Sequence, residues 1–313
     1  MEEILKYPNA DWSMPFLFAN DLFIPVIHEL LGENHKIKYV YGSTRCKWAG
    51  GRFSRYDIKN LRFIEKILTK TIFYNTTPVF TFTNTSINEE DISDKFCNGL
   101  LKIISELNCQ IILVSDLLYD HIKENFPNIK LVSSIIKSTY LKVKDKDETQ
   151  HINDLTEKFD RVVIRPEFAM KKNFNFTDIK DISKLEILIN QNCIFDCPAS
   201  DAHYRLFELF DKQLINEKNF SEATIKLCPA YMNPNAARNS LNETQIEKLI
   251  NAGITNLKLQ GRNFHFNAVL IELFSYYFKN DINKSELEAE IDKIISSVTK
   301  KSHELQLHTF LES

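Results

Sequence analysis

Short apolar runs alternate along this chain with segments whose apolar residues recur at helical spacing. Eight of the runs are predicted to be strands: Pro15–Ala19, Ile37–Tyr41, Pro78–Thr83, Gln110–Ser115, Ile129–Ser133, Arg161–Arg165, Leu185–Ile189 and Asn256–Gln260. Most are apolar throughout rather than alternating, which is typical of parallel strands covered on both faces. Eight such strands, usually separated by helices, predict an α/β fold, a (β/α)₈ TIM-like barrel. An open doubly wound sheet is the structural alternative.

Helical spacing of apolar residues predicts the elements that connect these strands. The predicted helices are Asp21–Leu31, Tyr56–Thr71, Asn88–Leu107, Leu117–Asn125, Ile152–Phe159, Ala199–Leu214 and Thr244–Ala252. A further apolar stripe follows the last strand and comprises Leu287, Ile291, Ile294, Ile295 and Val298. We therefore predict a barrel over residues 1–280 and a helical extension over 281–313, which packs on the barrel exterior or forms a dimer contact.

Composition and charge narrow the class of protein. The chain is 43% hydrophobic and 26% charged, as in ordinary soluble globular proteins. Its net charge of −3 argues against a polyanion-binding surface, so nucleic acid is not the expected partner. The first residues lack a signal peptide pattern, and no apolar run is long enough to span a membrane. We expect a cytoplasmic protein whose six cysteines are thiols or metal ligands rather than disulfides.

The segment Leu185–Phe207 contains the clearest candidate chemistry. A buried strand ends near Asn190, Cys193 and Cys197 follow in C-x₃-C spacing, and a helix is predicted from about Ala199. A helix N-terminus lowers the pKa of a nearby thiol, and thiolates prefer soft metals. This pair therefore forms half of a predicted metal site.

Two further cysteines supply candidates for the other half. Cys46 follows the second strand in a glycine-rich loop, and Cys228 precedes a proline just as Cys197 does. A barrel would bring the loops that carry these four cysteines to the face formed by the C-terminal ends of its strands. Four thiolates suit either tetrahedral zinc or a 4Fe–4S cluster. Cys97 and Cys109 lie in a helical pattern and at a strand start, so we predict them to be buried free thiols.

Three sequence islands resemble peptidase family U32, and most closely its UbiU/UbiV-type iron–sulfur proteins. They are VYGSTRCKWAGGR, the C-x₃-C-P segment with its downstream Cys228, and AGITNLKLQGR, which has Gln260 where the family has Glu. The resemblance implies a barrel that holds a 4Fe–4S cluster. It also implies oxygen-independent hydroxylation of a quinone precursor or of RNA bases, with prephenate as the apparent oxygen donor. Other family members are described as collagenase-like peptidases.

Polar residues at the other strand ends are candidate substrate ligands. Arg45, Arg165 and Arg262 are predicted to bind a small anionic substrate, since guanidinium groups bind carboxylates and phosphates in bidentate fashion. Glu167, Asn190 and Gln260 lie at the same predicted face. His203, in the helix after the C-x₃-C pair, is a candidate proton donor, and Arg262 is the second candidate catalytic residue.

The leading hypothesis is an iron–sulfur oxidoreductase that hydroxylates a small anionic or aromatic substrate without oxygen. The first alternative is a zinc-stabilised barrel without catalytic activity, acting as a homodimer or with a hetero-partner as UbiU pairs with UbiV. The second alternative is a U32-type peptidase. The sequence contains none of G-x-S-x-G, H-E-x-x-H or a Walker A loop, so this peptidase has no nucleophile that we can name.

Overall fold

Eight parallel strands close into a barrel, as the sequence predicts. The computed structural model describes residues 5–15, 17–18, 22–33, 35–50, 57–139, 147–171, 174–195, 197–229, 239–260, 266–278, 283, 285–286 and 288–298. The barrel strands are β1 (Asp11–Pro15), β2 (Ile37–Gly42), β3 (Thr77–Phe82), β4 (Gln110–Leu113), β5 (Lys130–Ser133), β6 (Arg161–Ile164), β7 (Leu185–Leu188) and β10 (Asn256–Lys258). Their order around the barrel is β1, β2, β3, β4, β5, β6, β7, β10 and back to β1. The (β/α)₈ prediction is confirmed.

Helices connect the strands and cover the outside of the barrel. In chain order they are α1 (Phe23–Leu31), α2 (Leu61–Phe73), α3 (Glu89–Ile92), α4 (Lys95–Glu106), α5 (Asp116–Asn125), α6 (Ile135–Thr139), α7 (Glu148–Lys158), α8 (Glu167–Met170), α9 (Ser200–Asp211), α10 (Glu217–Leu227), α11 (Glu243–Asn251) and α12 (Phe266–Tyr277). Several begin at a side chain that accepts a hydrogen bond from the first turn, namely Asn60, Asp94, Ser115, Asn216 and Asn242. These caps satisfy backbone donors that otherwise lack a partner.

Apolar side chains form two separate buried layers. The large outer core lies between strands and helices and includes Trp12, Phe80, Ile111 and Leu257, each no more than 1% exposed. A smaller cluster, assembled from five neighbouring strands, comprises Tyr39, Tyr41, Val79, Ile112, Val132 and Val163. These residues alternate along their strands with members of the outer core, which places them inside the barrel.

The predicted position of the first strand is wrong. The strand occupies Asp11–Pro15 rather than Pro15–Ala19. Leu17 and Phe18 are nevertheless buried, and the Phe18 ring packs edge-on against Phe80 at 5.3 Å between centroids. An apolar run therefore predicts burial here, but the buried run is a loop at the end of β1 rather than the strand itself.

A short antiparallel ribbon interrupts the regular alternation after β7. Strands β8 (Asn190–Gln191) and β9 (Asn239–Ser240) pair with each other, and the backbone N–H of Asn239 also donates to the carbonyl of Cys193 at 2.9 Å. Helices α9 and α10 belong to the segment between β8 and β9. This segment, which we call the α9–α10 insertion, leaves and rejoins the barrel through one ribbon at the C-terminal face.

The apolar stripe of the C-terminal segment packs on the barrel. Residues 285–286 and 288–298 are helical, Ile291 is fully buried, and Ile294, Ile295 and Val298 contact the outer core. Leu287 lies outside the described residues. In the part of the chain that the structure describes, no helix combines the length and apolarity needed to cross a membrane.

Candidate functional site

Three of the four predicted cysteine ligands lie together at the base of the α9–α10 insertion. Cys193 and Cys197 are half-buried and Cys228, which ends α10, is buried. The pKa of the Cys197 thiol is raised, first by burial and further by the negative charges that Cys193 and Cys228 would carry as thiolates. Arg165 and the backbone N–H of Ala199 lower the pKa of Cys197 and offset part of this rise. The three thiols are thus near enough to one another, and to one arginine, to influence each other's ionisation.

Cys46 occupies a different environment. It is 5% exposed and forms a side-chain hydrogen bond with Cys97 of α4, which is fully buried. Burial raises the pKa of Cys46, but this bond and the backbone N–H groups of Trp48 and Ala49 bring it below its usual value. The same bond raises the pKa of Cys97 far above its usual range. The structure therefore brings together Cys193, Cys197 and Cys228, and places the Cys46 thiol against Cys97.

Cys97 and Cys109 are buried free thiols, as predicted. Burial raises the pKa of Cys109 to about 12. Across the described residues, no group of three or more His, Cys, Asp or Glu side chains has a metal-holding arrangement. The three neighbouring thiols are therefore not preformed as a closed ligand set in this conformation.

Arg165 and Glu167 form a buried ion pair at the end of β6. Arg165 Nη1 lies 3.7 Å from Glu167 Oε1, and Arg165 Nη2 donates to Ser200 Oγ, the first residue of α9, at 2.9 Å. Both residues are less than 9% exposed. Within the described residues, neither carboxylate oxygen of Glu167 has a hydrogen-bond partner. The ion pair offsets the charge of Glu167, but its oxygens can still accept hydrogen bonds from a ligand that donates them.

Helix α9 extends from the end of β6 to the end of β3. Beyond the Arg165–Ser200 contact at its first residue, its last turn is held by Glu208, which accepts hydrogen bonds from Thr85 and from Ser86 Oγ. The guanidinium of Arg45 lies over the Phe210 ring at 4.7 Å from its centroid. Since β3 and β6 are separated by two strands around the barrel, α9 lies across its C-terminal mouth.

Asn190 and Gln260 hold two strand ends together. Asn190 Oδ1 accepts from the backbone N–H of Gln260 at 2.6 Å, and its Nδ2 donates to the Gln260 carbonyl and to Glu272. The Gln260 side chain accepts from the Asn192 backbone N–H at 3.0 Å. Their side chains thus connect β8 to the end of β10, directly before the cysteine loop.

The remaining predicted site residues are placed as follows. His203 is 6% exposed on α9, and its ring packs against Phe207 at 5.3 Å between centroids. Arg262 lies outside the described residues, so the structure gives no account of it. In the glycine-rich loop the backbone of Gly50 lies close to that of Thr83, because a Cβ on Gly50 would lie 2.5 Å from the Thr83 carbonyl.

A charged cluster inside the barrel was not predicted. Glu186 of β7 is fully buried and forms ion pairs with Arg161 of β6 at 3.0 Å and with Lys258 of β10 at 3.5 Å. Arg161 also lies over the Tyr39 ring, and Lys258 lies over the Tyr41 ring. The sequence did contain a signal for this cluster, because each of three predicted buried strands contains at least one charged residue. We call Arg161, Glu186 and Lys258 the lumen cluster.

The lumen cluster should make stability depend on pH. Burial lowers the pKa of Lys258 to about 8 from a usual value of 10.5, with Arg161 lowering it further and Glu186 raising it. Between these values the unfolded chain binds more protons than the folded one, so the contribution of Lys258 to the free energy of unfolding rises with pH. We expect urea unfolding to show a gain on the order of 2–3 kcal/mol from pH 7.5 to 10 in the wild type relative to Lys258→Met. Equal pH dependence in both proteins would contradict this.

Comparison with known proteins adds no identification. No family model matches the sequence, and no curated protein matches it. Among solved structures, the U32 peptidase Mk0906 is similar with a TM-score of 0.49 and 11% identity, over 81% of this chain and 93% of that one. The xylanase and α-amylase inhibitor protein XAIP-II from Scadoxus multiflorus has a TM-score of 0.42 and 11% identity, over 90% and 97% of the two chains. Because these TM-scores and identities are low, the barrel fold is assigned from the strand order of this chain and not from the similar structures.

Proposed function

We propose that this chain is an iron–sulfur protein of the U32 type that carries out a redox modification of a small anionic or aromatic substrate. Oxygen-independent hydroxylation is the reaction that we favour. The observation that carries the proposal is the meeting of Cys193, Cys197 and Cys228 beside Arg165, at the barrel face where enzymes of this architecture build their sites.

The donor set fits an iron–sulfur cluster in its chemistry. Thiolates are the usual ligands of such clusters, and a guanidinium nearby offsets part of their negative charge. Without such compensation the three thiolates would oppose one another's ionisation; burial is the main cause of the raised pKa of Cys197, and Cys193 and Cys228 add to it. Cys46 remains the predicted fourth ligand, although its thiol contacts Cys97 in this structure.

The residues around the thiols suit an anionic substrate. A bound cluster would relay electrons one at a time between the substrate and the oxygen donor. In this proposal Arg165 and Ser200 orient the substrate, Glu167 accepts a hydrogen bond from it, and Arg45 contributes positive charge from the opposite end of α9. Arg262 and His203 retain their predicted roles as an anion ligand and a proton donor. Helix α9 would exclude water from the mouth of the barrel.

A zinc-stabilised, non-catalytic barrel is the second candidate, and the position of the thiols favours it specifically. Cys193 and Cys228 lie where the α9–α10 insertion leaves the barrel and where α10 ends, so a metal there would hold both ends of the insertion. The insertion also exposes large apolar side chains, namely Phe195, Leu209, Leu214 and Ile225. These would serve a homodimer contact or a hetero-partner.

Metal analysis of protein purified without oxygen separates the two candidates. The iron–sulfur proposal predicts a brown protein with about four irons per chain, which bleaches in air. The zinc candidate predicts a colourless protein with about one zinc per chain that unfolds on chelation. If the protein binds neither iron nor zinc in stoichiometric amounts after anaerobic purification and reconstitution, both candidates are refuted.

A further inference from the structure

The lumen cluster carries an unbalanced positive charge in the interior of the barrel. Arg161 and Lys258 are both buried, and Glu186 is the one carboxylate that pairs with either of them among the described residues. Two cations and one anion leave a net charge of +1. An uncompensated buried charge is costly, so the arrangement favours a second anion.

Apart from each other, the two cations face Glu186 and two tyrosine rings, whereas Lys38, which also lies near Arg161, is already paired with Asp11 at 2.6 Å. Glu186 accepts from Arg161 Nε and Lys258, and it also accepts a hydrogen bond from Ser13 of β1. The rings of Tyr39 and Tyr41, adjacent on one face of β2, cover the guanidinium at 3.6 Å and the ammonium at 3.5 Å from their centroids. The rings fix the positions of both cations but neutralise neither of them.

One hydrogen-bond donor of Arg161 is unused among the described residues. Its Nη2 is buried and has no hydrogen-bond partner among the described residues, although the residue is only 5% exposed. Buried guanidinium donors normally have acceptors, which here means an oxygen supplied from outside the chain. The fork of a guanidinium matches a carboxylate in particular.

The strand registers place this donor below the candidate functional site. Lys258 pairs in register with Leu188, and Ile187 pairs with Ile164, so Lys258 lies in the upper half of the strands while Arg161 begins β6. Gln260 and Arg165 follow towards the C-terminal mouth. The Lys258 side chain keeps 9% exposure.

We propose that the barrel interior binds a small carboxylate between Arg161 and Lys258. The carboxylate would accept hydrogen bonds from Arg161 Nη2 and the Lys258 ammonium, and it would bring the lumen to charge balance with Glu186. This site is separate from the cysteines, so it stands or fails independently of any iron or zinc.

Thermal unfolding in matched sodium salts tests the proposal. At pH 7, acetate or formate at about 100 mM should raise the Tm of the wild type as purified on the order of 3 °C above chloride at the same ionic strength. Lys258→Met should lose this increment, because the pair Arg161–Glu186 is then already neutral. Arg161→Gln should lose it as well, which provides a second variant if the first folds poorly.

Lys137→Met is the matched control. Lys137 is also a buried lysine, at 6% exposure, but Asp116 pairs with it at 2.8 Å outside the barrel interior. This variant should keep the carboxylate increment. The proposal would be overturned if the Tm of the wild type were no higher in acetate or formate than in chloride. It would also be overturned if Lys258→Met and Arg161→Gln both kept the increase.

Discussion

Replacing Glu186 with glutamine is expected to lower the free energy of unfolding by about 3–5 kcal/mol at pH 7. Glu186 is fully buried, and it is the partner of both Arg161 and Lys258. Glutamine keeps the shape but removes the charge, so two buried cations would repel each other without compensation. Chemical denaturation of the wild type and Glu186→Gln at pH 7 measures the loss directly.

Two variants separate this effect from the loss of an ordinary ion pair. Glu157→Gln breaks an exposed pair with Lys180 that solvent screens, and we expect it to change stability very little. The double variant Glu186→Gln, Lys258→Met removes one of the two cations and should recover a large part of the loss. A cost for Glu186→Gln no greater than that for Glu157→Gln would show that the lumen cluster does not stabilise the barrel.

The second large effect concerns the cysteines. Cys193→Ser, Cys197→Ser and Cys228→Ser should each lose most of the bound iron and the brown colour of anaerobically purified protein, because serine is a poor ligand for soft metals. Iron content per chain and the visible spectrum measure this loss. If all three variants retained their full iron content, the cluster assignment would be wrong.

Cys109 provides the matched control for these variants. It is 1% exposed and lies directly before β4, and burial raises its pKa, so Cys109→Ser should retain iron. Cys46→Ser distinguishes two ligand sets. Loss of iron would show that Cys46 leaves Cys97 to complete four thiolates, while retention would show a cluster held by three.

The eight strands were largely predictable because each forms a short apolar run, and seven of them lie within two residues of the predicted bounds. The first strand was not, because Leu17 and Phe18 are as apolar as a strand but form a loop. The β8–β9 ribbon carried no such signal, since Asn190, Gln191, Asn239 and Ser240 are polar and paired only through tertiary contact.

Spacing along the chain likewise predicted only part of the site. Cys193 and Cys197 are close because they are four residues apart, whereas Cys228 joins them because α9 and α10 fold back on each other, with Phe210 and Phe220 stacked at 4.6 Å. Cys46 was grouped with them from its loop alone. Its thiol instead meets Cys97 because α4 packs there, and no local pattern connects those two residues.

By itself, the sequence determined seven of the eight barrel strands and several of the helices between them, the burial of Cys97 and Cys109, and the position of the C-x₃-C pair after a strand. These are properties of neighbouring residues and their periodicity. Only the tertiary structure decided that Arg161, Glu186 and Lys258 meet, because barrel closure places β6, β7 and β10 side by side across 25 and 72 residues of chain. Which charged residues pair over long distances depends on which strands are neighbours in the barrel. The order of residues along the chain does not specify those neighbours.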